Sequence, residues 1–400
     1  MLKQASASRS QSSLALSDLR AAVILIVLAF HSCLAYLDSL PASAPPFDSP
    51  PYQWRSFPIT DSQRWFGFDL FCAPQDIYLM SLMFFLSGLF VWPSLAHKGS
   101  WDFLRHRLVR LGLPFAVVVF LLMPVAHYPV YLVTAVDPSV AAFWQSWLAL
   151  PFWPSGPPWF LWQLLVLNIA AAAVHKFAPR WGKLLGRLAS FGGAHPNRLF
   201  AGLVIASALA YVPLAIIFTP WEWSQLGPFA LQLCRPLHYA VYFFAGVGVG
   251  AHGIDNDLFA STGLLARRWA GWLAAAVAAF LLWIASTALT IELRDTAPLG
   301  LQIIADLGFV LSCASSSFFL IAMFVHFARN RSRILDSLSG NAYGIYLIHY
   351  VFVIWLQYGL LNAPFFAVAK AAIVFVVTLV LSWAIMAALR QLPLRFGCAA

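Results

Sequence analysis

Apolar runs of about twenty residues alternate along this 400-residue chain with short polar or basic connections, from about residue 18 to residue 389. A helix rises about 1.5 Å per residue and a bilayer core is about 30 Å thick, so roughly 20 apolar residues make one crossing. The pattern predicts ten such helices, over 18–37, 77–96, 107–126, 158–177, 200–219, 232–251, 268–290, 303–327, 341–360 and 366–389. The stretch 129–150 is also apolar, but Asp137-Pro138 interrupts it, and it is expected to be re-entrant or interfacial. The longest connection, 38–76, is rich in Pro, aromatics and Asp and is expected to fold as a cap over the outer face. Residues 1–17, rich in Ser, Ala and Gln, are expected to be disordered, and 390–400 to form a short tail. A cleaved signal peptide is the rival reading of the start, since Ala42-Ser43-Ala44 resembles a cleavage triplet. The run from Leu19 to about Tyr36 exceeds the ~7–15 residues of a signal core, which favours a retained helix.

Composition agrees with the pattern. With 61% hydrophobic and 10% charged residues and a mean hydropathy of +0.78, an ordinary soluble domain, about 25% charged, is excluded. The fold class is an all-α polytopic integral membrane protein, a bundle of about ten transmembrane helices. A net charge of +9 invites a nucleic-acid partner, but the basic residues sit in short connections rather than on one soluble face, so no nucleic acid is expected. If the N-terminus is cytoplasmic, 19 of the 24 Lys and Arg fall on inner ends and loops, leaving Arg55, Arg64, Arg235, Arg294 and Lys370 towards the outside. That asymmetry puts both termini in the cytoplasm. The five cysteines show no paired metal-ligand spacing and no metal is expected, although Cys72 and Cys234, both near outer ends, can pair as a disulfide.

Ionisable residues inside such runs are costly and so are candidates for function. Arg20 and His31 lie in the first run, eleven positions apart. On a helix that places them within roughly 20° of one face and about 16 Å apart along the axis. A neutral imidazole in that position suits a general base, whereas the bland reading is a packed histidine with a polar partner. Arg107 and Arg110, at i and i+3, can hold phosphates with fixed donor forks, or serve only as topology signals. Tyr343, Tyr346 and His349 make a polar stripe in an apolar helix, suited to catalysis or to interhelical hydrogen bonding. Asp306 and Glu292 can reach a substrate hydroxyl or pair with a basic residue. Phe84–Gly88 and Trp159–Trp162 read as structural, the first through close helix contact and the second through aromatic packing.

Arg20-(ten residues)-His31, Phe84-Phe85-Leu86-Ser87-Gly88, Arg107-x-x-Arg110 closing with Pro114, Trp159-Phe160-Leu161-Trp162 and Tyr346-Leu347-Ile348-His349 follow one another in an order that resembles the bacterial acyltransferase family 3. That family includes membrane O-acyltransferases of lipopolysaccharide, peptidoglycan and periplasmic glucans. The resemblance implies acyl transfer, acetyl or succinyl being the expected groups, from cytoplasmic acyl-CoA, acetyl-CoA foremost, to a hydroxyl of an extracytoplasmic glycan or glycolipid. It implies a multi-pass protein of the bacterial inner membrane, with catalytic importance for His31 and Arg20 and donor-phosphate binding by Arg107 and Arg110. The family's acidic residue in the ninth span has no counterpart in 341–360, where His349 or Tyr346 stands instead. Some members carry a fused extracytoplasmic hydrolase-like domain; none is expected after the tenth run here, and the chain is expected to act alone or with a separate partner. The competing class is a transporter or flippase, for which repeated halves would be expected and no internal repeat is found. The acceptor sugar and the oligomeric state are not written in the sequence.

The charge asymmetry makes a first prediction. In intact cells an impermeant thiol reagent should label cysteines introduced between residues 38 and 76 and leave Arg180→Cys unmodified; labelling of Arg180→Cys from outside would overturn the orientation.

Overall fold

The helices follow the apolar runs. The structure is a computed structural model and describes residues 11–253, 257–328 and 330–391. In chain order they are α1 Gln11–Cys33, α2 Phe66–Gly88, α3 Val91–Lys98, α4 Ser100–Arg107, α5 Leu113–Val117, α6 Met123–Thr134, α7 Val140–Ala149, α8 Trp159–Phe177, α9 Arg180–Ala194 and α10 Pro196–Phe218. A small antiparallel hairpin, β1 Trp223–Leu226 with β2 Phe229–Gln232, precedes α11 Pro236–His252. Then come α12 Leu264–Arg267, α13 Trp269–Leu293, α14 Leu299–Phe327, α15 Arg333–Gly359 and α16 Ala367–Gln391. This is an all-α polytopic membrane fold.

Among the described residues, eight stretches are long and apolar enough to cross a membrane: Ser12–Tyr36, Phe66–Lys98, Ser100–Thr134, Trp159–Phe177, Pro196–Phe218, Trp269–Leu293, Leu299–Phe327 and Ala367–Gln391. The other two expected crossings, 232–251 and 341–360, fall in α11, which has 17 residues, and in α15, which carries Asn341, Tyr343, Tyr346, His349 and Gln357; neither joins that set. Starts also differ from expectation. Residues 11–17 are helical because Leu14, Ala15 and Leu16 are buried and the Ser12 hydroxyl donates to Phe259 O at 3.3 Å. The remainder of that segment, 1–10, and 392–400 of the expected tail lie outside the described residues. Helix α2 starts at Phe66 rather than 77 because Asp69, which breaks the apolar run, uses its carboxylate to accept the backbone N–H groups of Asp38 and Ser39 at 2.7 and 3.2 Å. The cap connection therefore closes at Trp65. The stretch 129–150 divides into the end of α6, a turn, and α7 capped by Ser139. Cys72 and Cys234 are free thiols rather than a disulfide; the Cys234 thiol faces Pro220 O at 3.9 Å instead.

From Ser100 to Thr134 the chain stays helical through Pro114, Pro124 and Pro129. Proline lacks the N–H that would satisfy the carbonyl one turn back, and hydrocarbon supplies no substitute. The helix widens to π turns at Leu108–Gly112 and Val118–Leu122, and outside donors take the stranded carbonyls. Tyr343 OH donates to Arg110 O, four residues before Pro114, at 2.6 Å. Trp355 Nε1 donates to Val125 O, four before Pro129, at 2.9 Å. Trp153 Nε1 donates to Val119 O, five before Pro124 within a π stretch, at 3.0 Å. Three prolines thus bind this helix to α15 and to the loop before α8.

Small residues bring other helices into contact. Along α11, Gly246 and Gly250 face α2 so closely that a Cβ on either would collide with the carbonyl oxygens of Phe85 and Leu89. This is small-xxx-small packing, where dispersion at short backbone separation replaces the hydrophobic drive that lipid removes. The Phe84–Gly88 stretch is structural, as its composition suggests. Helix α14 runs through the middle of the bundle with 72% of its apolar window buried, against 11% for α13 and 17% for α16, whose remaining surface is left for lipid.

The cap over 37–65 is fastened by polar contacts. Arg64 donates to the carbonyls of Leu40 and Pro41 at 2.7 and 2.6 Å, and Trp54 Nε1 to Phe47 O at 3.0 Å. Arg55 reaches Gln225 of the hairpin at 2.9 Å. The deepest fastening is Lys370 Nζ to Asp61 Oδ2 at 2.7 Å, both side chains essentially inaccessible, with Nζ also donating to Leu361 O at 3.1 Å. A buried pair costs its desolvation, but losing one member leaves a bare charge and costs about 3–5 kcal/mol. Lys370→Met should therefore lower the thermal unfolding midpoint in detergent markedly, and adding Asp61→Asn should recover part of the loss. Equal midpoints for Lys370→Met and the parent would mean the pair holds nothing.

Candidate active site

Helices α1 and α15 run side by side in the same direction. Near one end the Ser17 hydroxyl donates to Ser339 Oγ at 2.9 Å, and near the other His31 meets His349. Gln357 Nε2 finishes the contact, donating to His31 O at 2.9 Å and to Ser32 O at 3.4 Å where α1 runs out of donors of its own.

The contacts of the two imidazoles assign their tautomers. His349 Nδ1 lies 2.7 Å from Tyr346 O, which can only accept, so Nδ1 carries the hydrogen and Nε2 of the neutral ring accepts. His31 Nδ1 lies 2.9 Å from Val27 O and 3.2 Å from His349 Nε2, two acceptors, so its hydrogen is shared between them. The lone pair of His31 is thereby left on Nε2. His349 is fully buried and His31 half-buried, with the rings 5.0 Å apart between centroids. Phe30 and Tyr350 stand edge-on to His31 at 5.4 and 5.7 Å. The result is a neutral imidazole, oriented through Nδ1 and basic at Nε2, in an apolar aromatic setting.

The other expected residues distribute themselves around this pair. Arg20 lies on α1 with its guanidinium over the Phe90 ring at 4.4 Å, so it shares a helix with His31 but is held elsewhere. Arg107 stacks on Phe103 at 5.0 Å and is half-buried, while Arg110 is exposed. The π turn that begins at Leu108 spreads the two arginines further round the helix than an α-helical i, i+3 spacing would. Both lie at the end of the bundle away from the cap. The expected stripe on α15 is real but divides its partners: Tyr343 goes to Arg110 O, Tyr346 OH to Pro157 O at 2.5 Å, and His349 to His31. Asp306 is buried on α14, one turn before Phe309, whose ring carries the Arg235 guanidinium at 5.1 Å; it makes no hydrogen bond or ion pair with His31, His349 or Tyr346. Glu292 is exposed at the end of α13. The Trp159–Trp162 stretch packs as expected, Phe160 against Phe84 at 4.6 Å and Trp162 Nε1 donating to Ala230 O at 3.1 Å.

Two histidines escaped the sequence reading, although the rule that found His31 applies to His238. His127 is buried on α6, with Nδ1 2.8 Å from Met123 O and its ring against Trp54, Trp147 and Tyr350 at 5.4, 5.6 and 6.0 Å. Through Tyr350 it adjoins His31. His238 is buried on α11 between Ser207 Oγ at 2.5 Å and Cys313 Sγ at 3.5 Å, joining α10, α11 and α14. Among the described residues no group of three or more His, Cys, Asp or Glu is placed to hold a metal ion.

A many-helix membrane bundle that holds an oriented basic imidazole among apolar residues, with arginines at its far end, has the parts of an intramembrane group-transfer enzyme. A family model described as an acyltransferase domain matches residues 16–387, nearly the whole chain: the protein belongs to acyltransferase family 3 and is an acyltransferase. That assignment displaces the transporter reading. No curated protein and no solved structure matches the chain.

The contact at His31 Nδ1 makes a prediction. A hydrogen bond to a charged group is worth about 1.5–3 kcal/mol, and His31 becomes charged whenever it accepts a proton. His349→Leu, which removes the acceptor, should lower kcat at least about tenfold, while His349→Gln, whose amide oxygen can still accept, should keep most of it. Equal losses in the two variants would show that His349 serves packing alone.

Proposed function

We propose that this protein is an O-acyltransferase of the bacterial inner membrane that moves an acyl group, acetyl or succinyl, from cytoplasmic acyl-CoA to a hydroxyl of an extracytoplasmic glycan or glycolipid, with His31 at the reacting centre. The observation that carries the reading is the assigned tautomer: Nδ1 of His31 is occupied by Val27 O and His349 Nε2, and Nε2 bears the lone pair.

Donor chemistry suits the basic end. Arg107 and Arg110 can grip phosphate oxygens, and Arg20 adds a third guanidinium on α1. Asp18 Oδ1 and Asn341 Oδ1 are buried oxygens without a hydrogen-bond partner, acceptors for donor N–H groups of the kind that coenzyme A carries on its adenine and its pantetheine arm. The helix rise from Arg20 to His31, about 16 Å, is a span that the flexible arm can cover. In one route the acceptor hydroxyl gives its proton to His31 Nε2 as its oxygen forms a bond to the thioester carbonyl carbon. The C–S bond then breaks and the CoA thiolate takes the proton back from Nε2, so the imidazole ends neutral. While charged, the ring is steadied by His349 Nε2. In the other route Nε2 itself attacks the thioester carbon and CoA leaves as the thiolate as the C–S bond breaks; the acceptor hydroxyl then takes the acyl group from the acyl-imidazolium as the C–Nε2 bond breaks, and its proton goes to the thiolate.

Two measurements test this. Folded His31→Gln should still bind acyl-CoA but transfer acyl groups at least roughly 10²-fold more slowly; retention of more than about a third of parental turnover would make His31 a packing residue. Replacing Arg107 and Arg110 together with Ala should weaken acyl-CoA binding at least about tenfold. An unchanged donor dissociation constant in the folded double variant would remove them from the donor site.

A further inference from the structure

The cap and α7 form an open groove of about 260 Å³ lined by Asp48, Gln145, Ser146, Ala149 and Leu150. Three of its five lining residues offer a carboxylate, a carboxamide and a hydroxyl, and none of these side chains forms a hydrogen bond or ion pair with the described chain. Ala149 and Leu150 give the groove an apolar side. No cation lines it, so a phosphate or a carboxylate sugar would meet only the like charge of Asp48. Polar groups able both to give and to accept, set against a small apolar surface, match a neutral pyranose: hydroxyls around the rim, C–H groups on one face.

The groove also lies against the aromatic wall that covers the reacting centre. Asp48 follows Phe47, whose ring stacks on Trp54 at 4.8 Å, and Ser146 precedes Trp147. Trp54 and Trp147 both pack on His127, His127 packs on Tyr350, and Tyr350 stands edge-on to His31.

We infer that the groove between Asp48 and α7 binds a neutral sugar unit of the acceptor, anchoring the glycan outside the aromatic wall that covers His31. This rests on the acyltransferase reading above, and it adds the charge class of the acceptor and the residues that select it. Binding energy from a remote unit of this kind positions the reacting one.

The test uses the full-length protein in detergent and three probes: maltohexaose, laminarihexaose and hexagalacturonate. Saturation-transfer NMR should detect at least one of the neutral oligosaccharides on the parent and not hexagalacturonate. The exposed pair Asp48→Ala/Gln145→Ala should lose that signal while its acyl-CoA dissociation constant and its thioester hydrolysis in the absence of acceptor stay within twofold of the parent. The inference fails if neither neutral hexamer binds, if hexagalacturonate binds as well, or if the double variant binds the neutral hexamer as the parent does. A parent that binds a neutral hexamer but never cleaves acyl-CoA would refute the transferase reading and leave the groove's assignment standing, so the two failures are distinct.

Discussion

Hydrocarbon offers no hydrogen bonds, and in this bundle that constraint decides where each polar group can be. A carbonyl stranded by proline, a lysine at a helix end and an imidazole in mid-span each require a partner from another element, so each becomes a tie between helices. The tie on which the site depends is His349 Nε2 with His31 Nδ1 at 3.2 Å. It holds α15 to α1, fixes the ring orientation of His31 and puts the lone pair on Nε2. Structure and chemistry are here the same contact: the acceptor that satisfies His31 in lipid also leaves its other nitrogen basic.

The rest of the fold serves that contact from three sides. The glycine seam of α11 presses it to α2, and α14 fills the middle so that α1 has a firm back. The long helix from Ser100 to Thr134 is drawn to α15 by the carbonyls its prolines cannot satisfy, which places Arg107 and Arg110 at the foot of the helix that carries His349. Above, the cap is bound to α16 by Lys370 and Asp61, and its aromatics, with His127, close over the histidine pair. The two ends thus differ, with Arg107 and Arg110 towards one, aromatic walls and a polar groove at the other, and the histidine pair between. A donor rich in phosphate and an acceptor rich in hydroxyls would each find matching chemistry at opposite ends.

His31 was legible because one histidine in an apolar run stands out, and the three-residue recurrence of Tyr343, Tyr346 and His349 was legible for the same reason. His238 stands in a comparable run, 232–251, and could have been found by the same rule, whereas His127 falls just past the end of the run 107–126. The pairing of Asp61 with Lys370 had no such signal: 309 positions separate the two, and each alone reads as an ordinary charge near a helix end. The arginine pair shows a further limit. Spacing at i and i+3 assumes an α-helix, and a π turn begins between the two residues.

The sequence by itself determined the membrane class, the helical segments as runs, the charge asymmetry and the ionisable residues inside apolar surroundings, because hydropathy, length and charge are local quantities that a bilayer tests residue by residue. Tertiary structure alone decided where α1 and α2 begin, that His31 meets His349, that Asp306 belongs with the Arg235 region, and that Cys72 and Cys234 remain thiols. These are facts about which helix lies beside which. Packing sets them through backbone approach at glycine and through donors finding carbonyls across the bundle, and neither quantity is written in the order of residues along one strand of chain.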